Sequence, residues 1–419
     1  MALLDPGHFH SIWPLVLCLL AAFAAAHLPV FRVVDAPLRP AGRARALDGL
    51  RAFLAVGVVI SHGGTYRNYL LGGEWGREMS PLYAACGTIA VSMFFMITGF
   101  LFWGRLIRDG GRPDWVALYV GRAFRIAPLY LAAVLALLAY VAAATGGLAV
   151  APGELLRQVA PWVALGAVEG GDINGYTGTS LVLAGVTWTL RWEWYFYASL
   201  AVTALAARRP GRHLPFALAV LAGAAGSTLL VPHRASVFVL LFSIGMACAS
   251  ARAAGHTLRA PQPVLSAAVL VLVACCIAAI PGGYTSKSAA LLGLAFYLIA
   301  VAECTVFGVL ASRAAARLGE VSYGTYLLHG LVLAVVLRTD LGRFAAAASP
   351  GLYWLLVAGC LLLVLGLALL AHVAVERPGI ALGRELILWL GQPERRAARR
   401  PRPAAVPSLD VALSGAVRD

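Results

Sequence analysis

Three observations predict an all-α fold, a polytopic membrane helix bundle. Of 419 residues, 61% are hydrophobic and 12% charged, and the mean hydropathy is +0.82, a composition that soluble domains do not reach. Apolar stretches long enough to cross a bilayer recur along the chain. The basic residues gather on alternate connections, as in cytoplasmic loops.

The stretches are near 12 to 31, 46 to 62, 82 to 103, 123 to 145, 184 to 206, 214 to 231, 235 to 251, 263 to 280, 288 to 311, 321 to 337 and 352 to 375. They predict eleven spans, a ten-helix core with one extra N-terminal helix. Leu155 to Val168 is short and holds Pro161, so it reads as an interfacial or re-entrant piece. With the N-terminus outside, 25 of the 33 Lys and Arg fall on one side and seven on the other, with Arg191 inside a span. That asymmetry sets the orientation, with a cytoplasmic C-terminus. It also accounts for much of the net charge of +14 without any nucleic-acid partner.

The first run, Ile12 to Val30, lacks a basic leading segment and precedes the first dense arginine cluster, so it reads as a retained span. Asp35 to Arg45 follows as a cytoplasmic linker. In Ala46 to His62, ALDGLRAFLAVGVVISH, Arg51 and His62 stand eleven residues apart. They share one helix face at about 16 Å, with His62 at the outer end. Ionisable groups at membrane depth mark functional sites, although a snorkelling Arg and a helix-capping His would look the same. The outer loop that follows carries Tyr66, Tyr69 and Trp75. These suit both stacking on a sugar ring and anchoring at the interface.

In the third span, VSMFFMITGFLF places Thr98 beside Gly99, which permits close approach of a backbone or a thin ligand. In RPDWVALYVGRAFRIAPLY, Arg122 and Arg125 are neighbours on one face and Pro128 disturbs the ladder a turn later. The arginines suit phosphate binding and positive-inside anchoring alike. Asp172, Asn174 and Tyr176 lie on a flexible Gly-rich outer loop that suits a glycan and plain solvation equally. WTLRWEWYFY sets Glu193 among aromatics in the outer half of its span, on the side of His62, with Arg191 facing elsewhere on the helix. The spans from 214 to 311 hold packing residues, including Phe242, Gly245 and Met246. In LGEVSYGTYLLHG, Ser322, Tyr326 and His329 share one helical face. The seven cysteines read as buried free thiols.

This series resembles the membrane acyltransferase-3 family from roughly Arg45 to Pro378. The matching motifs are Arg51 with ten residues before His62; Phe94, Phe95, Thr98, Gly99 and Phe100; Arg122, Arg125, Pro128 and Tyr130; Trp188, Leu190, Glu193, Phe196 and Tyr197; and Ser322, Tyr326 and His329. The chain departs from the pattern at Ala90 and Ser92, where Gly and Asp are usual, and at Arg191 and Trp192, where residues are commonly small or aliphatic. The resemblance divides the chain into 1–45, an acyltransferase domain at 46–378, and an Arg-, Pro- and Ala-rich cytoplasmic tail at 379–419.

It implies transfer of an acyl group, most often acetyl, from cytoplasmic acyl-CoA to a hydroxyl of a cell-envelope or exported glycan or a lipid-linked sugar. The setting would be a bacterial inner membrane, with no metal. Arg122 and Arg125 would contact coenzyme A phosphates, with Tyr130 lining the path. His62 would be the general base. Glu193 would orient the imidazole or hold the acceptor, and Arg51 would bind the donor or polarise its carbonyl. Thr98, Gly99, Trp188, Tyr197, Ser322, Tyr326 and His329 would support substrate or site. Direct transfer and an acyl-His intermediate both fit.

Other classes would use some of the same residues. A proton-coupled transporter would employ buried His, Glu and Arg, but would more often show an internal repeat. A glycan polymerase or ligase would place arginines in large outer loops, and a scaffold would need none at depth.

Overall fold

A computed structural model describes residues 11–35, 43–76, 80–209, 211–231, 233–279 and 283–391. Most of the linker after Asp35 and the tail beyond Gly391 lie outside the described residues. The elements are helical: α1 (Trp13–His27), a 3₁₀ turn (Pro29–Val34), α2 (Arg43–Leu70), α3 (Pro81–Arg108), α4 (Trp115–Thr145), α5 (Pro152–Val159), α6 (Thr179–Val182), α7 (Trp188–Ala207), α8 (His213–Leu230) and α9 (Arg234–Ala253). There follow α10 (Gln262–Ala279), α11 (Ser286–Ala300), α12 (Arg313–Glu320), α13 (Ser322–Leu337), α14 (Asp340–Ala348), α15 (Pro350–Ala371) and α16 (Arg377–Leu390). Among the described residues the extended pairing is one isolated bridge between Ile173 and Tyr176.

Each of the eleven predicted stretches contains helix, but the expected count of full spans is not reached. Among the described residues six helices are long and apolar enough to cross a membrane, and a seventh span arises if α12 and α13, bent by 64°, count as one. α1, α10 and α11 are shorter apolar helices. The stretch predicted at 288 to 311 breaks after Ala300, because Glu303, Val306, Phe307 and Gly308 all take positive φ. Glu303 turns out to meet Arg252 instead of continuing the helix. α7 begins only at Trp188 because Ala184 and Gly185 form a left-handed turn.

Local chemistry sets the ends of the site-bearing helices. Pro81 opens α3, where its missing N–H is harmless. Asp114 caps α4 by accepting from the Ala117 amide at 2.8 Å, and Gly146 closes it at φ 67°. The predicted disturbance at Pro128 does not break α4, which runs through it. Gly379 and Gly383 of α16 nest against Pro128 and Phe124, where a Cβ on either glycine would collide. α3 and α9 approach in the same way: a Cβ on Gly99 would strike the Phe242 carbonyl, and one on Gly245 the Met96 carbonyl.

α1 is built into the bundle. Cys18, Ala22 and Ala26 are fully buried, and the Tyr83 hydroxyl donates to the Ser11 carbonyl at 2.8 Å. Arg317 of α12 holds Asp35 through Nε and Nη2, both at 2.7 Å, and donates to the Ala26 carbonyl at 2.9 Å. The hydrogen bond from Arg317 holds the Asp35 carboxyl below the usual carboxylate value.

Candidate active site

A cavity of about 470 Å³ opens among α2, α3, α4, α7 and the α12–α13 bend. α2 brings Leu47, Asp48 and Arg51 to its wall, and α3 brings Val91, Phe94, Phe95, Thr98, Leu101 and Phe102. That second set recurs at i, i+3, i+4 and i+7, the spacing of one helix face. Arg122 and Arg125 enter from α4, Thr189, Leu190 and Glu193 from α7, and Glu320, Ser322, Tyr323 and Tyr326 from the bend. The break at Val321 sets the first residues of α13, Ser322 and Tyr323, at the cavity wall, where a helix N-terminus favours anions.

The cavity holds three arginines and three carboxylates, but they are not all paired. Arg122 Nε donates to the Tyr197 hydroxyl at 2.7 Å, and Nη2 lies 3.7 Å from Glu193. The Tyr197 hydroxyl in turn donates to Glu193. The guanidinium stacks over Phe102 at 4.8 Å and Tyr197 at 5.2 Å. Among the described residues neither Arg51 nor Arg125 makes a salt bridge, although Asp48 and Glu320 on the same wall attract Arg51 electrostatically. Two guanidinium groups that face a cavity without a salt bridge can bind phosphate oxygens.

Two aromatic residues separate this cavity from a pair of histidines. Tyr326 exchanges a hydrogen bond with Thr189 at 2.9 Å and donates to the Val186 carbonyl at 3.1 Å, and its ring lies 6.0 Å from Phe94. One turn further along α13, His329 is fully buried with Nδ1 2.7 Å from the Tyr326 carbonyl. Its Nε2 stands 3.1 Å from His62 Nδ1, which is also 3.1 Å from the Val58 carbonyl.

With both rings neutral, one pair of tautomers satisfies these contacts. His329 Nδ1 faces a carbonyl and therefore carries the proton, so neutral His329 presents a lone pair at Nε2. His62 Nδ1 faces two acceptors and therefore donates. The lone pair of His62 is left on Nε2, where a general base needs it. Trp75 stacks on the His62 ring at 6.3 Å and meets Tyr66 and Tyr69 edge-on.

Several sequence expectations are corrected by this placement. His62 does not end its helix, because α2 continues to Leu70. Gly63 and Gly64 stay helical where Val357 and Tyr83 crowd them. Glu193 is not the imidazole's partner. It joins Arg122 and Tyr197, while His329, expected only to support, makes that contact. Tyr130 is buried and does not line the cavity, and Trp188 packs on Phe95, Phe238 and Tyr284. Gly99 serves the α3–α9 contact.

The loop bearing Asp172, Asn174 and Tyr176 is not a loose strand of acceptors. Asp172 accepts from the Gly178 and Thr179 amides, and Asn174 bonds Ala149, Thr145, Gly147 and Gln158. Thr98, Ser322, Arg51, Arg122, Arg125 and Tyr326 do meet at one cavity. Sequence reasoning passed over Thr189 and Tyr323. Thr189 lies four residues before Glu193, on the same helix face, which is the signal that would have found it.

A family model described as an acyltransferase domain matches residues 45–373. No curated protein and no solved structure matches the chain. The matched region contains the whole cavity and both histidines, and the chain accordingly belongs to the acyltransferase-3 family and is a membrane acyltransferase.

Proposed function

We propose that the protein transfers an acyl group, acetyl in the first instance, from cytoplasmic acyl-CoA to a hydroxyl of a cell-envelope or exported glycan. The observation that carries this reading is one cavity with Arg51 and Arg125, neither in a salt bridge among the described residues, at one end and the His62–His329 pair just past Tyr326 at the other. In this reading the membrane is a bacterial inner membrane and the arginine-rich end of the bundle faces the cytoplasm, under the positive-inside rule.

Arg51 and Arg125 bind phosphates of coenzyme A, helped by the α13 N-terminus. Arg122 is held by Glu193 and Tyr197 and shapes the wall between Phe102 and Tyr197. The thin acyl-bearing arm passes Thr98 and Ser322 toward Tyr326. Arg51 stands about 16 Å along α2 from His62, so it serves the donor's phosphates and not the reacting carbonyl.

The acceptor hydroxyl approaches His62 from the opposite end. His62 Nε2 takes the hydroxyl proton as the oxygen attacks the thioester carbon. The C–S bond breaks, an ester forms, and the proton returns to the coenzyme A thiolate.

The test is release of free coenzyme A from acetyl-CoA by the purified protein in lipid nanodiscs, together with mass spectrometry of glycans from cells carrying wild type or His62→Ala. Wild type should add an acyl mass and turn over donor, and His62→Ala should lose roughly 10²- to 10⁴-fold. Equal activity of an equally folded His62→Ala protein would remove the base from the mechanism.

A further inference from the structure

The cavity stops short of the histidines. Phe94, Thr189 and Tyr326 line its wall, whereas neither His62 nor His329 does. His62 is nevertheless only part-buried, so water meets it from beyond that wall. For a thioester held in the cavity to meet a hydroxyl held at His62, part of the wall has to move aside.

The contacts single out the Tyr326 side chain as that part. Its ring meets Phe94 edge-on at 6.0 Å, and its hydroxyl is tied to Thr189 at 2.9 Å and to the Val186 carbonyl at 3.1 Å. The Thr189 hydroxyl reaches the same carbonyl at 3.1 Å, which closes a three-membered network. The backbone beneath the network is fixed. Val186 follows the left-handed pair Ala184 and Gly185, and Gly330 of α13 lies so close to that turn that a Cβ there would strike Leu183 and Ala184. Tyr326, by contrast, can change rotamer once its hydroxyl lets go. Neutral hydrogen bonds of this kind favour one position without locking it.

We infer that Tyr326, latched by Thr189, is a shutter between the donor cavity and His62 that keeps a bound acyl thioester from water while no acceptor is in place. The inference rests on the acyl-transfer reading. When the shutter opens on an empty acceptor side, water takes the part of the sugar hydroxyl. His62 Nε2 accepts a proton as the water oxygen bonds to the thioester carbon, the C–S bond breaks, and the proton passes to the coenzyme A thiolate. The products are the free acyl acid and coenzyme A, so the donor is spent for nothing. Thr189 acts through Tyr326 and is a positioning residue whose hydroxyl limits that loss.

The test is idle hydrolysis. Full-length protein in nanodiscs receives radiolabelled acetyl-CoA without any sugar, and released acetate is counted. Thr189→Val, which removes the hydroxyl at nearly constant shape, should raise acetate release about three- to tenfold, the loss of one neutral hydrogen bond. Tyr326→Phe gives up both bonds and should leak at least as fast, and it carries the test if the Val protein does not fold. Thr189→Ser, which keeps the hydroxyl, should restore most of the barrier. Adding His62→Ala to Thr189→Val should abolish the excess, because the leak runs through the base. No rise in either variant, or a rise that survives the loss of His62, would overturn the shutter. Glycan mass spectrometry on wild-type cells separates the two readings. Acylated glycans together with no rise sink the shutter alone, whereas unchanged glycans together with no release of coenzyme A by any variant sink the acyl-transfer reading and the shutter with it. A rise that depends on His62 with unchanged glycans upholds the shutter and moves the acceptor out of the glycan class.

Discussion

At the scale of single residues, the histidine pair gives His329 a definite task. Its Nε2 lone pair keeps the His62 Nδ1 proton in place, so the base nitrogen is Nε2. Replacing His329 with Leu removes that acceptor and leaves only the Val58 carbonyl. Gln, whose amide oxygen reaches to about where Nε2 stood, restores it. We expect kcat to fall roughly 10²-fold in His329→Leu and markedly less in His329→Gln, with KM for acyl-CoA unaffected in both. Steady-state kinetics on the two variants check this ordering, and equal losses would reduce His329 to packing. The motifs supplied both histidines as residues, but their contact spans 267 positions of sequence, and no local periodicity encodes such a distance. Tyr130 and Trp188 show the opposite failure. Each belongs to a motif, yet Trp188 is five residues from Glu193, about 140° around α7 and off the cavity face, and Tyr130 lies a full turn beyond Ile126, the last residue of α4 at the cavity wall.

At the scale of elements, the cavity depends on how closely α3 meets α9. Gly99 and Gly245 let the two backbones touch, and Thr98, beside Gly99, faces the cavity as a result. Gly99→Ala forces its new methyl against the Phe242 carbonyl, an overpacking that costs about 1–3 kcal/mol and displaces the Thr98 wall. Its thermal unfolding in detergent should come several degrees below wild type. Gly359→Ala on α15, where a Cβ meets nothing within 4 Å, should match or exceed wild type because alanine is the better helix former. A Gly99→Ala protein as stable as the Gly359→Ala control would show that the two helices are free to separate. The helical character of each stretch was legible from hydropathy, as was the close-packing role of Gly99. Helix lengths were less so. Hydropathy does not register the left-handed turn at Ala184, and at Glu303 the apolar neighbours outweigh one charge, so both turns shorten runs that read as continuous.

At the scale of the whole molecule, the argument turns on which end of the bundle faces which solution. A donor arriving at Arg51 and Arg125 and an acceptor arriving at His62 beside Trp75 would meet from opposite sides, so the chemistry works across the membrane only in one orientation. The asymmetry of 25 basic residues against seven favours the arginine cavity inside. Two connections at opposite ends of the bundle report on this directly. The α7–α8 turn holds Arg208 and Arg209 at the end of α7 that meets Gly111, and the α14–α15 turn at Ser349 lies a helix beyond Arg338. In intact cells, an impermeant maleimide should label a cysteine placed at Ser349 and spare one placed at Arg209, while lysed cells should label both. Native Cys275 is itself exposed and is replaced by Ala beforehand so that the reading stays clean. The reverse labelling pattern would put the arginines outside. Cytoplasmic acyl-CoA could not then reach Arg51 and Arg125, and the donor would have to be sought among extracytoplasmic acyl carriers or lipids.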